Sequence, residues 1–463
     1  MAEATADRLV EVVGADHVVA GDAISEDYRH DEALTATPGR PGYLVRPTSA
    51  EQVAEIVRVA VADGVPVTAR GSGSGMSGAC LPSDGGIVVS FERMNALVEI
   101  DTVNHVAVVQ PGLTLSELDN ATAAAGLAYQ VYPGELSASL GGNVATNAGG
   151  MRAVRYGVTR NNVLGLQAVL GTGEMIRTGG RISKISTGYD LTQLIIGSEG
   201  TLALVTEATL KLSPRLTDTR TVLAPFDDLD GVVRAVPRII ASGLAPAILE
   251  YIDALTMGAI TYTQQLTLGV PDEVRDRTQA YLVVALENTS ADRVGGDVER
   301  LGDLLGTLGA TDVYVLDGTA AHKLIEAREK AFWTAKAAGA NDIVDVVVPR
   351  GAMPEFLATT RKLAEETGSG VVGCGHAGDG NVHLAIFQAD PDVRHRLMHS
   401  MFEAGIALGG AISGEHGVGT QKRQHFLDLT DPAELDLMRR IKRSFDPAGI
   451  LNPEVLLGME DEA

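Results

Sequence analysis

Two short glycine-rich motifs hold the residues whose types and spacing could do chemistry. Residues 375–383 read G-H-A-G-D-G-N-V-H, and residues 413–419 read S-G-E-H-G-V-G. Asp379-Gly380 is a hairpin-turn signal. A turn there sets His376 and His383 at the mouths of adjacent antiparallel strands, where their side chains can converge. Two imidazoles and a carboxylate form a common transition-metal donor set that leaves positions open for a substrate. The second motif offers Glu415 and His416 in a tight loop bracketed by glycines. The bland alternative is that each imidazole only caps a turn. Three of the ten histidines in two such motifs argue against it. His395, His399 and His425 lie in helical, polar contexts and read as surface.

The 53 glycines are clustered, and the clusters suggest ligand loops. Residues 70–79 read R-G-S-G-S-G-M-S-G-A, so Gly73, Gly75 and Gly78 match G-x-G-x-x-G after a strand. A dinucleotide fingerprint requires a helix to start on the third glycine, so that its N-terminus faces the pyrophosphate. Here the chain continues C-L-P-S-D-G-G, a turn, and the Rossmann reading fails. The loop can still bind anions, because consecutive N–H groups in glycine-rich turns form nests. Residues 133–157 hold six glycines, two asparagines and two serines. Such a segment lets backbone approach a flat ligand and supplies neutral donors and acceptors. Its interleaved Leu140, Val144 and Val154 argue against a disordered linker. A third loop, G-S-E-G-T, occupies 197–201.

These loops need a scaffold, and the composition provides one. The 463 residues allow two or three domains at roughly 150 residues each. Hydrophobic residues make up 45% and charged residues 21%, as in globular proteins. Aromatics are only 4%, so the core must be mostly Ala, Val, Leu and Ile. The net charge of −23 opposes nucleic acid and anionic membrane as partners. Two cysteines, Cys80 and Cys374, exclude a disulfide framework and an iron–sulfur cluster held by this chain alone. The first residues are acidic, without a basic-then-apolar leader, and no run of ~18 apolar residues exists. The expected location is cytoplasmic, with peripheral contact at the inner face of the membrane as the alternative.

The first half alternates strand and helix. Residues 43–45, 65–69, 87–90 and 105–110 read as strands. Thr48 with Glu51 matches a capping box for a helix that Gly64 stops, and Thr114 with Glu117 matches a second. Residues 163–170 and 201–212 read as further strands. After Pro214 come a strand at 219–224, a helix at 229–240, strands at 247–252 and 281–287, a helix at 291–308 and a strand at 312–316. That order is the ferredoxin-like β-α-β-β-α-β. Helices follow at 321–338 and 355–366, strands at 343–348, 371–375 and 382–387, and a helix near 432–445.

With the three loops in this order and the two histidine motifs behind them, the chain resembles the vanillyl-alcohol oxidase/p-cresol methylhydroxylase flavoproteins. Within them it is most similar to the FAD-linked D-2-hydroxy-acid dehydrogenases: D-lactate dehydrogenase, the D subunit of glycolate oxidase and D-2-hydroxyglutarate dehydrogenase. The resemblance runs from about residue 45 to 456. It implies an α+β fold, with a two-part FAD-binding domain (PCMH-type) and an inserted ferredoxin-like α+β substrate (cap) domain. The implied boundaries are 1–215 for the FAD domain (its PCMH-type part about 40–215), 216–410 for the cap, and 411–463 for a segment returning to the FAD domain.

The resemblance also implies roles. Arg70, Gly71, Ser72, Gly73, Ser74, Gly75, Met76 and Ser77 would hold the pyrophosphate of FAD. Pro133, Gly134, Ser137, Ser139, Gly142, Asn143, Asn147, Gly149, Gly150, Tyr156 and Gly157 would lie along the isoalloxazine and ribityl chain. Glu199, Gly200, Thr201, Val205 and Asn452, the last in D-P-A-G-I-L-N-P, would complete the site. Some relatives attach flavin through a histidine in the first loop. None stands there, so non-covalent FAD is expected. Relatives often carry Gly-Lys after the Asn-Pro; here Glu454-Val455 follows, so any role of that lysine is in doubt. His376, His383 and Glu415 match the ligands of metal-dependent members, with Zn2+ expected and Mn2+ or Fe2+ as alternatives. His416 matches the catalytic base, and Arg328 matches a carboxylate-binding arginine. Phe332 and Trp333 are expected to pack in the core, with a pocket wall as the alternative.

The implied reaction is oxidation of a D-2-hydroxy acid to the 2-oxo acid, by hydride transfer to flavin N5 while a base takes the hydroxyl proton. D-2-hydroxyglutarate dehydrogenases carry a lysine and an asparagine where this chain has Ile343 and Ala385. Their loss favours lactate, glycolate or an acid with an alkyl chain over a dicarboxylate. D-2-hydroxyglutarate dehydrogenase itself and a non-redox flavoenzyme of the ether-lipid synthase type are the alternatives. The electron acceptor stays open among quinone, cytochrome, electron-transfer flavoprotein, partner subunit and oxygen. A homodimer is compatible with the sequence, and nucleic acid is not expected as a partner. The basic run 439–443 reads as a solvated helix face, close to the FAD phosphates in the alternative reading.

Overall fold

The short apolar segments before residue 215 become the strands of two principal sheets in the computed structural model, which describes residues 2–458. The first sheet has the order Val18–Ala20, Tyr43–Val45, Ile87–Ser90, Val67–Arg70, with an antiparallel outer pair followed by parallel pairs. The helix Ala50–Asp63 covers it, burying Val53, Ile56, Val57 and Ala60. Its cap is Ser49, whose hydroxyl accepts from Gln52 N. The expected Thr48/Glu51 box is therefore displaced by one residue, and Thr48 instead donates its own N–H and hydroxyl to Gln52 Oε1. Gly64 ends the helix in the left-handed region at φ 65°. The Thr114/Glu117 box forms in both directions.

The second sheet is antiparallel throughout, in the order Leu97–Asp101, Val106–Val109, Ala203–Lys211, Val163–Leu170, Met175–Gly179. Its two edge strands carry mostly half-exposed and exposed residues. Their apolar signal is too weak for either to be expected from the sequence. The glycine-rich 133–157 segment contains two short helices, Leu140–Thr146 and Ala153–Tyr156. Two glycines of low helix propensity hide the first, and the second is only one turn long. Ser139 caps the first, and Asn147 closes it at φ 54°.

The C-terminal helix Pro432–Phe445 leads the chain back to this domain. Leu451 forms a parallel bridge with Val67, and Asn452 N donates to Val67 O at 2.8 Å. Lys442, from the basic run, does not stand free in solvent. Its ammonium donates to Thr201 O and Leu451 O, each at 2.7 Å, and pairs with Asp446. Both ends of the chain thus build one domain.

The central segment forms a seven-stranded antiparallel sheet. Tyr314–Leu316, Asp218–Phe226, Ala280–Asn288 and Ile248–Asp253 stand side by side, the fourth-first-third-second order of a ferredoxin-like unit. Gly370–Gly375, Asn381–Phe387 and Asp342–Val347 extend it. One face packs on the helices Leu229–Ala241, Ala291–Thr307, Met353–Thr367 and Pro391–Ala407 around Tyr251, Phe226, Phe356 and Phe402. The single helix expected over 321–338 is two, Gly318–Glu329 and Ala331–Ala337, broken at Lys330. Among the described residues no helix is long and apolar enough to cross a membrane.

Asp446 is buried and receives Ile450 N, Leu451 N and the Lys442 ammonium. Asp446→Ala should lower stability by about 3 kcal/mol, because it strands a part-buried ammonium and two N–H groups. The urea midpoint of the full chain should fall accordingly.

Candidate active site

The backbone N–H groups of Gly73 through Ser77 find no acceptor among the described residues. Gly71 to Met76 line a cleft whose far walls are the 138–149 segment and the loop at 198–200. A run of free N–H groups is what an anionic diphosphate needs. Close approach of the loops depends on glycine: a Cβ on Gly71 would lie 2.0 Å from Ser139 Oγ. Asn143 Nδ2, on the cleft wall, is buried without a partner, a further sign that this cleft takes a polar ligand, whereas Ser77 lies outside the cleft lining. Ser139, Gly142, Asn143, Gly149, Pro133, Glu199, Gly200 and Val205 line the same space, so these expected flavin contacts meet.

Other expected contacts stand behind the wall. The Arg70 guanidinium turns away from the cleft, donating to Asp27 O and to His30 O and lying over the Tyr28 ring. Asn147 Oδ1 accepts from Arg160 N, and Ser137 packs on Glu135. Gly157 closes the helix carrying Tyr156. Tyr156 OH donates to Glu287 of the central sheet, which also takes Arg152 at 2.7 Å. Gly134 and Gly150 line the neighbouring cavity instead. Thr201 is buried and donates to Ser198 O. Asn452, held at φ 44°, joins two loops by donating to Ala79 O and Glu199 O, each at 2.7 Å. The Glu199 carboxylate accepts from Val418 N and Gly419 N at 2.7 Å each, tying the cleft to the second histidine motif. Burial pushes its pKa up, against those two N–H groups and Lys422.

The histidine motifs converge as the turn geometry predicts. His383 pairs in register with Cys374 across antiparallel strands, and the His376 and His383 rings lie 4.9 Å apart. Glu415 Oε1 sits 2.9 Å from His376 Nε2 and 3.3 Å from His383 Nε2. Two ligands at ~2.0–2.1 Å from one tetrahedral ion would be separated by about 3.3 Å. His383 Nε2 is buried and has no hydrogen-bond partner, an orphan that an ion would satisfy. His376 Nδ1 is held by Glu250 Oε1 at 2.7 Å, the carboxylate–histidine support common to metal ligands. The donor set fits a divalent ion. Burial alone would lower the His376 pKa, but Glu250 and Glu415 outweigh it and raise it to about 10. A proton there occupies the position that a cation would take.

The loop carrying Glu415 and His416 is organised by Asp345. Its Oδ2 accepts from Ser413 Oγ (2.7 Å), Gly414 N (3.1 Å), Glu415 N (3.0 Å) and His416 N (2.8 Å). Its Oδ1 accepts from Asn381 Nδ2 at 2.8 Å. Asp345, His383 and His416 form a second trio of close ligand atoms, sharing His383 with the first. Asp345 already serves five donors, so the trio of His376, His383 and Glu415 is the better metal set. Burial opposes the charge on Asp345, but His416 and Lys422 hold its carboxyl below the usual range. Burial pushes His416 down to about 4, so its imidazole is neutral at neutral pH.

Arg328 is 8% exposed and pairs through Nη2 with Glu250 Oε2 at 2.8 Å. Its Nε has no acceptor. Both Arg328 and the histidine trio face a cavity of about 320 Å³, within the usual range for small-molecule sites. Glu415 and His416 line this cavity and the cleft alike. Gly149 makes that shared wall thin, since a Cβ there would lie 2.6 Å from Glu415 Oε2. Phe332 walls the cavity and Trp333 is 42% exposed, so neither packs in the core. Helix 331–337 is short and edges the cavity, which no sequence period announces. His425 is 3% exposed, beneath His395 and His399, and is not a surface residue. Glu250 and Asp345 escape a reading of the sequence. Their one signal is an acid inside an otherwise apolar strand.

Two family models match the chain: an FAD binding domain over residues 41–179, and the C-terminal domain of FAD linked oxidases over residues 215–456. An uncharacterised FAD-linked oxidoreductase of Mycobacterium tuberculosis is 62% identical, covering 99% of this chain and 100% of that protein. A D-lactate dehydrogenase of Anaerostipes hadrus is 36% identical, covering 94% of each. The solved structure of p-cresol methylhydroxylase with substrate bound superposes with a TM-score of 0.83 at 18% identity. It covers 98% of this chain and 96% of that one.

Asp345→Ala should remove the acceptor of three backbone N–H groups and leave Lys422 buried without its counter-ion. A loss of about 3–5 kcal/mol is expected. Calorimetry of the variant should show it; an unchanged transition would count against the organising role.

Proposed function

The chain belongs to the FAD-linked oxidases, and on that premise we propose that it oxidises a D-2-hydroxy acid with a small or alkyl side chain to the 2-oxo acid. One observation carries the proposal. Glu415 and His416 stand on the wall shared by the flavin cleft and the cavity that contains Arg328, His376 and His383. A molecule in that cavity meets a cationic anchor, a base and a metal donor set in one space, with the flavin cleft immediately behind. The D-lactate dehydrogenase relative supports the same donor class.

When bound, flavin supplies a two-electron acceptor, and a divalent ion on His376, His383 and Glu415, best matched by Zn2+, supplies polarisation of a hydroxyl. Arg328 anchors the substrate carboxylate through its guanidinium, which is paired with Glu250 at 2.8 Å on its other side and has an unpartnered Nε. His416 takes the hydroxyl proton. Its Nδ1 is turned toward Asp345, 3.8 Å away. Glu250 also aligns His376, so one buried carboxylate orients both the anchor and a ligand. Apolar side chains opposite these groups exclude water from the reacting end.

Anaerobic mixing of the yellow protein with D- and L-2-hydroxy acids tests this directly. Flavin absorbance should bleach with a D-acid, fail after chelation and recover when Zn2+ or Mn2+ is returned. A protein that binds FAD but is bleached by no acid would refute the donor class. His416→Ala should retain FAD yet slow flavin reduction by about 10²–10⁴-fold, the usual contribution of a general base. Reduction at the normal rate would assign the proton elsewhere.

A further inference from the structure

We infer that the preferred substrate is a monocarboxylic D-2-hydroxy acid with a long unbranched alkyl chain, and not lactate, glycolate or a dicarboxylate. The inference rests on the function proposed above and concerns the rest of the same cavity. Arg328, His376, His383, Glu415 and His416 are gathered at one end, while Glu329 stands beside Gly134 where the cavity meets an outer surface cavity. The remainder is mostly apolar, with Thr256, Thr334 and Cys374 as its polar side chains. Along the strand Asn381–Phe387, His383, Ala385 and Phe387 follow one another on the cavity face. Residues two apart share a face, so the wall runs about 13 Å from the histidine to the phenylalanine. Ile343 and Val372 flank Ala385 in register on the two neighbouring strands and line the cavity with it. Opposite stand Leu255 and Ile260 on Ala254–Thr263, and Phe332 and Ala335 on Ala331–Ala337.

A methyl or a hydrogen at the substrate α-carbon would leave this wall in contact with water. An extended alkyl chain of roughly ten carbons would run its full ~13 Å length, and shorter chains part of it. A distal carboxylate finds hydroxyls but no cation on that wall. Lys336, whose ammonium lies 5.9 Å from the Phe332 ring centroid, is already paired with Glu32 at 2.8 Å. Beyond the rim, where Leu255 is 72% exposed, an adjoining surface cavity is mixed: Tyr262 and Trp333 line it together with Glu326, Glu329 and Lys330.

The test is a series of D-2-hydroxy acids (glycolate, lactate, hydroxyhexanoate, hydroxyoctanoate, hydroxydecanoate) and D-2-hydroxyglutarate, measured by flavin reduction with the FAD- and metal-loaded enzyme. Each buried methylene should raise kcat/KM about fourfold, the equivalent of ~0.8 kcal/mol. The octanoate should exceed lactate by at least about a hundredfold. Ala385→Leu and Ala335→Phe each place bulk against the tail, and each should cut the octanoate-to-lactate ratio at least about tenfold. Two substitutions on opposite walls keep the test sound should one impair folding, which the flavin spectrum reports. Equal or better turnover of lactate, glycolate or hydroxyglutarate would overturn the inference while leaving the 2-hydroxy-acid reading intact. Bleaching by none of the acids would overturn both.

Discussion

A single buried carboxylate, Asp345, sets the constraint on which the site depends. It has no solvent exposure, and an isolated charge there would be prohibitively costly. Five hydrogen-bond donors and the Lys422 ammonium at 3.8 Å offset that cost. Three of the donors are consecutive backbone N–H groups, of Gly414, Glu415 and His416. Satisfying the charge therefore forces the backbone of that loop into one shape. The side chains of Glu415 and His416 leave the loop in fixed directions as a result. Stability and function are coupled here through the same atoms.

Two further buried acids extend the arrangement. Glu250 bridges Arg328 and His376, so one carboxylate ties the guanidinium and an imidazole together. Glu199 accepts the N–H groups of Val418 and Gly419, fastening the far end of the same loop to the flavin cleft. The loop is thus pinned from the central sheet on one side and from the FAD-binding domain on the other. Asn452 locks the first and third glycine loops to each other in the same region. The cleft and the cavity share a wall because these contacts leave the loop only one position between two domains.

Much of the architecture is legible in the amino-acid sequence. The helix at 432–445, the strand at 163–170 and the ferredoxin-like order of the central segment follow from apolar periodicity and turn residues, which are local signals. Family resemblance carried by the glycine loops and histidine motifs leads to the flavoprotein fold, which the FAD binding and FAD linked oxidase models support. The features that the sequence hides share a cause. Of the short helices within 133–157, 140–146 carries two glycines and 153–156 is a single turn, so neither shows a period, and the edge strands at 97–101 and 175–179 bury too little apolar surface. The break at Lys330 and the burial of His425 depend on what packs nearby, not on neighbouring residues in the chain.

The sequence by itself determined which chemistry was available: imidazoles and a carboxylate in glycine-bracketed turns, and loops whose backbone can meet an anion. Those properties reside in residue types and short spacings, so they survive reading one residue at a time. Only the tertiary structure decided which groups act together. Glu250, Arg328 and His376 lie on three separate elements, and their two ion pairs span more than 70 residues of chain. Asp345 and the loop it shapes are about 70 residues apart as well. An acid in an apolar strand is a cost that the strand's own neighbours cannot offset. Its partners come from elsewhere in the fold, and no local pattern in the sequence names them.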